Sequence, residues 1–235
     1  MLLRLTLLIL ATLSVSACGY NQSDIPPSSL GTVQAATYRH NDAPALTLFT
    51  AISNSTDEGA HSALMVNGSQ RVIFDPAGTF RKNDAIIEQG DVLYGASPRM
   101  VDGYTRFHAR ETYHVVVQRL EVPRETAESV LQDVLSYGDV RAAMCTNSTS
   151  TVLSRANLPG QIRTTMFPKN LMEQFKAVPG VSTRELFEYD SDDKSKALEA
   201  YEPERVAETL HERRRNGTTE EAQAAAAGKG KAKAN

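Results

Sequence analysis

The residue pattern predicts an α+β domain, with an antiparallel sheet of about five strands packed against about three helices. Three observations lead there. Asn67-Gly68 separates two short apolar runs, and such a pair is a strong hairpin signal because both residues tolerate the positive φ of a tight turn. The run Thr112 to Val122, Thr-Tyr-His-Val-Val-Val-Gln-Arg-Leu-Glu-Val, has the β-branched composition of a strand. From Arg124 onward the apolar residues recur at helical spacing instead. Strands followed by helices, with one strand-like run returning at the end, predict segregated rather than alternating elements.

Taken in order, Leu46 to Ser53 is the first expected strand. His61 to Val66 and Arg71 to Asp75 are the two arms of the Asn67-Gly68 hairpin. Residues 76–111 contain Pro76, Gly78, Gly90, Gly95, Pro98 and Gly103, which predicts mostly loop. Thr112 to Val122 is the expected central strand, stopped by Pro123. Arg124 to Tyr137 sets Ala127, Val130, Leu131, Val134 and Leu135 on one helical face, with Pro123 near the first position and Gly138 as C-cap. Arg141 to Arg155 and Pro168 to Ala177 are the second and third expected helices, and Thr183 to Tyr189 the last strand. Lys194 to Arg215 reads as a charged helix lying partly outside the core.

The N-terminus carries an address. Met1 to Ala17 combines Arg4, an apolar run from Leu5 to Val15 and the small residues Ser16 and Ala17. A run this short falls below the roughly 20 residues of a membrane span and has the plan of a signal peptide. Val15-Ser16-Ala17-Cys18 resembles the lipobox of bacterial lipoproteins. That resemblance implies cleavage before Cys18 and acylation of its thiol, palmitate being the expected kind of chain. Gly19, not Asp, follows, so the expected location is the outer membrane, facing the periplasm. The organisation expected is a signal peptide at 1–17, a lipid-anchored linker at 18–44, the folded domain at 45–200, and a charged helix with a disordered tail at 201–235.

Composition excludes several classes. The 235 residues carry 25 Lys and Arg against 28 Asp and Glu, a net charge of -3 without the clustered basic excess of a nucleic-acid binder. A hydrophobic fraction of 41% supports a packed core and argues against wholesale disorder. Two cysteines cannot staple a small disulfide scaffold. The histidines fall at neither finger nor helical pair spacing, so neither a metal nor a cofactor is expected.

If Cys18 is acylated, Cys145 is a thiol with no cysteine left to pair with. Its residue type suits a small core position as well as a reactive one. A hydroxyl-rich run, Thr146-Asn147-Ser148-Thr149-Ser150-Thr151, follows it, and a cysteine at the head of a helix feels the dipole and free N–H groups that favour thiolate. A nucleophile also needs a base. His40 lies in the linker, His211 on the charged helix, His114 inside the long strand and His108 in a loop-like stretch. His61 opens an apolar strand directly after Asp57-Glu58-Gly59-Ala60, a sheet-end position that suits a general base as well as a packed histidine.

These residues together resemble a family. His61-Ser-Ala-Leu-Met-Val66, then Val72-Ile73-Phe74-Asp75, and 84 residues after the histidine Met144-Cys145-Thr-Asn-Ser-Thr-Ser-Thr-Val-Leu153, look like the circularly permuted, lecithin retinol acyltransferase-like branch of the NlpC-like papain-fold superfamily. The resemblance implies a papain-like fold in which histidine precedes cysteine. It implies Cys145 as nucleophile, His61 as base and Asp75 as the group orienting the imidazole, with a hairpin-end acceptor as the other reading of Asp75. It further implies a thiol protease-like hydrolase or an acyltransferase acting on an envelope amide or ester, either a peptide or a lipid. The other open reading is a non-catalytic envelope lipoprotein that binds or scaffolds. Thr146-Asn147 stand where the family favours aromatic or histidine residues.

Overall fold

The computed structural model describes residues 28–80 and 86–198. The expected signal peptide, Cys18, the start of the linker and the tail, including His211, lie outside the described residues. The chain divides into two units, 1–194 and 195–235, and the architecture below belongs to the first.

One antiparallel sheet of seven strands organises it, in the order β4-β5-β3-β2-β1-β6-β7. The strands are β1 Ala45–Ser53, β2 Gly59–Asn67, β3 Arg71–Phe74, β4 Glu88–Gln89, β5 Val92–Leu93, β6 Tyr113–Glu121 and β7 Ser182–Leu186. Five helices are described: α1 Leu30–Ala35, α2 Pro98–His108, α3 Arg124–Leu135, α4 Cys145–Arg155 and α5 Pro168–Lys176. The class is thus α+β, with two more strands than the five expected and two more helices than the three.

Both additions have local causes. Residues 76–111, expected as loop, hold β4, β5 and α2. Gly90 and Asp91, both at positive φ (59° and 55°), make the two-residue turn of the β4–β5 hairpin. Ser97 then caps α2 through its hydroxyl, which accepts from the Met100 N–H, and Pro98 fills the first helical position. Likewise α1 lies inside the expected linker, capped by Ser29 and holding Val33 in the core.

The hairpin at Asn67-Gly68 forms, but neither residue takes a positive φ. Instead the Gly68 N–H donates to the Gln70 carbonyl, and Asn67 pairs with Arg71 across a three-residue connection. The strand expected at the centre, β6, is next to the edge, and β2 holds the middle. The second expected helix begins four residues later than the periodicity suggested, at Cys145, because Ala143 sits at φ 63° and breaks the helical path.

Alternation along the strands divides the molecule into two faces. Leu46, Leu48, Leu64, Val66, Val72 and Phe74 pack with Val130, Leu131 and Val134 of α3, Val152 and Leu153 of α4, and Leu171 and Phe175 of α5. Phe49, on the other face, meets Tyr104 of α2 edge-on at 5.3 Å. Phe80 meets Tyr104 and Phe107 in the same manner. The sheet therefore lies between an aliphatic layer and a smaller aromatic one.

Candidate active site

Alternation also decides where the polar residues point. Ser62 faces α4, whereas its neighbour His61 faces α2; Phe74 enters the aliphatic core, whereas Asp75 turns toward Tyr104. Asp75 is 3% exposed. Its Oδ1 accepts from Nε2 of His61 at 2.7 Å and from the Tyr104 hydroxyl at 2.6 Å.

The loop after β3 is shaped around this carboxylate. The Gly78 N–H donates to the Asp75 carbonyl, and a Cβ on Gly78 would stand 1.7 Å from Asp75 Oδ2, so any side chain there displaces the carboxylate. Asp91 ties this loop to the segment that leads into α4. Its carbonyl accepts from Asp75 N–H at 2.8 Å, and its Oδ2 accepts from Ala77 N–H at 3.3 Å and Val140 N–H at 2.8 Å. One buried turn residue therefore positions both approaches to the site.

Cys145 is the first residue of α4 and 3% exposed. No side chain caps this helix, so the positive end of its dipole lies at the thiol. The hydroxyl-rich run beside it anchors α4. Thr146 Oγ1 donates to Ser62 Oγ at 3.1 Å, Thr149 Oγ1 donates to the Ser62 carbonyl at 3.4 Å, and Ser150 exchanges hydrogen bonds with the Thr165 backbone. Thr146 and Ser62 follow Cys145 and His61 directly in sequence, so their contact sets the helix against the strand beside the thiol and the imidazole.

The electrostatics of the group are strongly coupled. Burial opposes charge on His61, but the negative charges of Asp75 and the Cys145 thiolate, with hydrogen bonds to both, outweigh it and hold the imidazolium up to about 10. Burial likewise opposes ionisation of Asp75, but the His61 charge and hydrogen bond, then His108 and the Tyr104 hydroxyl, hold its carboxyl down at about 2. With Nε2 given to Asp75, Nδ1 is the ring nitrogen left for the thiol.

Sequence reading missed three residues here. His108, expected in a loop, ends α2; its ring stacks on His61 at 5.4 Å, and Nδ1 donates to the Tyr104 carbonyl at 2.9 Å. Burial, the largest influence, pushes its imidazole down to about 3, so it is neutral. Tyr104 and Asp91 are the others. The capping Ser97-Pro98 and the i, i+4 spacing of Tyr104 and His108 were the available signals. The remaining described histidines lie elsewhere: His114 bonds Asn54 and stacks on Phe187, and His40 lies by Asp42.

The structure thus brings Cys145, His61 and Asp75 together from three separate elements. The arrangement can ionise a thiol, hold a proton beside it and offer N–H donors to a developing oxyanion. No family model, curated protein or solved structure matches the chain.

Proposed function

We propose that this chain is a cysteine hydrolase or acyltransferase of the bacterial envelope, built on the circularly permuted papain-like plan of the NlpC-like superfamily and held to a membrane by lipid on Cys18. The observation that carries this reading is the 2.7 Å bond from His61 Nε2 to Asp75 Oδ1, on an imidazole that also pairs with the thiol heading α4. The order supports it too, since His61 and Asp75 precede Cys145.

The Cys145 thiolate attacks the carbonyl carbon of an amide or ester, forming an S–C bond, while N–H groups at the start of α4 receive the oxyanion. As the tetrahedral intermediate collapses, the C–N or C–O bond breaks and His61 gives its Nδ1 proton to the leaving group. Water, or an acceptor alcohol or amine, then attacks the thioester. His61 takes the proton from this second nucleophile, and the S–C bond breaks to release the product acid, ester or amide and regenerate the Cys145 thiolate beside the imidazolium. Asp75 stays ionised throughout and fixes the imidazole through Nε2. Peptidoglycan peptide or lipid is the substrate class that the resemblance and the anchor support.

The test is iodoacetamide labelling of Cys145 in the folded chain, read by peptide mass from about pH 5 to 9. Labelling well below the free-thiol pKa of roughly 8.5, slowed in His61→Ala, is expected. The 3% exposure of Cys145 favours the other reading, a binding or scaffolding module with an inert thiol. Protection of Cys145 until the chain unfolds would establish that reading instead.

A further inference from the structure

His61, Asp75 and His108 lie far apart in sequence, yet one ligand atom from each falls within 4.8 Å of the other two. Spacing along the chain could not reveal this group, because β2, the loop after β3 and the end of α2 each supply one member. We propose that these three residues form a site for a divalent transition metal ion, with zinc the ion it suits best.

The donor set is the first argument. Two imidazole nitrogens and a carboxylate oxygen, with a fourth position open, are a recurrent zinc environment. Orientation is the second. In metal sites a ligating histidine donates its other ring N–H to a carbonyl, and a ligating carboxylate is itself hydrogen-bonded. Tyr104 supplies both supports: its carbonyl accepts from His108 Nδ1 at 2.9 Å, which leaves Nε2 of that ring as the lone-pair nitrogen, and its hydroxyl donates to Asp75 Oδ1 at 2.6 Å. The third argument is an unspent acceptor. Asp75 Oδ2 is buried without a hydrogen-bond partner, so the carboxylate has capacity left after serving His61 and Tyr104. Ligand atoms around tetrahedral zinc stand ~3.4 Å apart, so the His61–Asp75 pair, now 2.7 Å apart, opens while the widest separation in the group, within 4.8 Å, draws in when the ion enters.

On the His61 ring the ion would take the nitrogen that faces Asp75, inserting between two groups now in direct contact. Binding therefore releases the proton of that nitrogen to solvent and removes Asp75 as its acceptor. The metal and the Asp75–His61 hydrogen bond exclude each other, so an occupied site switches the thiol centre off. The site itself stands on the donor geometry and does not depend on Cys145 being a nucleophile.

The experiment is calorimetric titration of zinc chloride into the full chain freed of metal by chelator, with cobalt(II) spectra taken in parallel. One ion per chain is expected, with affinity reduced at least about 10-fold in His108→Asn and retained in Cys145→Ser. The cobalt complex of the unaltered chain should show d–d bands of a four-coordinate N/O set without the near-ultraviolet band of a thiolate ligand. That spectrum needs no variant and so is independent of whether His108→Asn folds. Absence of binding to the folded chain, a thiolate–cobalt band, or binding lost in Cys145→Ser would overturn the assignment. Failure of Cys145 to label with iodoacetamide would overturn the proposed function and leave the metal result standing.

Discussion

The two faces of the sheet are built on opposite principles, although adjacent residues of the same strands supply both. On the α3–α5 face, mainly aliphatic side chains such as Leu64 and Val130, joined by Phe175, fill a continuous core. On the α2 face, the end of the sheet carries a charged pair, a phenol and a neutral imidazole packed among Phe49, Phe80 and Phe107. Non-directional burial stabilises the first face, and its loss costs stability alone. Directional bonds around a buried charge hold the second, so its loss should alter proton binding as well as stability.

The largest expected effect separates the two faces most cleanly. Phe175→Ala empties a fully buried position of the aliphatic core and should cost about 3–5 kcal/mol in denaturant unfolding. Its Cys145 labelling rate, measured under conditions where the chain remains folded, should equal that of the unaltered protein. A large change in that rate would show that the two faces are not separable.

Acid comes next. His108 has its imidazole depressed to about 3 from an ordinary 6.5, so the stability it contributes is complete above 6.5 and is lost as pH falls from 6.5 toward 3. Asp75, held at about 2 against 3.8, adds a loss below 3.8 by the same sign. The stability curve should therefore decline on the acid side by up to roughly 5 kcal/mol from the histidine. In His108→Asn, unfolding measured at several pH values should show a flatter limb between 6.5 and 3.

Tyr104→Phe is smaller in stability and sharper in consequence. It removes the O–H that donates to Asp75 while leaving the ring against Phe49 and Phe80. The cost should be about 1.5–3 kcal/mol. Because one of the bonds that keeps Asp75 ionised is lost, its carboxyl should titrate higher, a shift readable by carbon-13 NMR. Unchanged titration with equal stability loss would reduce Tyr104 to packing alone.

The same division governs how much the sequence disclosed. The α3–α5 face was legible: the strand-like run at 46–53, the apolar run at 61–66 and helical spacing from 124 to 135 are one-dimensional signatures of two-dimensional surfaces. Cys145 was identifiable as the head of a helix and His61 as the opening of an apolar run, although β2 starts two residues earlier, at Gly59; Asp75 was reached only through the family resemblance. Tyr104 and His108 were hidden by the glycines and prolines of 76–111, which read as loop although Ser97-Pro98 starts a helix there. Asp91 was hidden for a different reason. Its importance lies in accepting from Ala77 and Val140, contacts that no local pattern encodes. The expected positive-φ turn at Asn67-Gly68 was misplaced, since that geometry occurs at Gly90-Asp91.

The central claim is that one imidazole links a carboxylate to a thiolate. Nitrogen-15 NMR of His61 in the full chain, with chelator present, tests it most directly. At pH 8 both ring nitrogens should carry protons, the ring should titrate at about 10, and Cys145→Ser should lower that midpoint. A neutral ring at pH 8 that titrates near its ordinary 6.5, with no response to Cys145→Ser, would contradict the account.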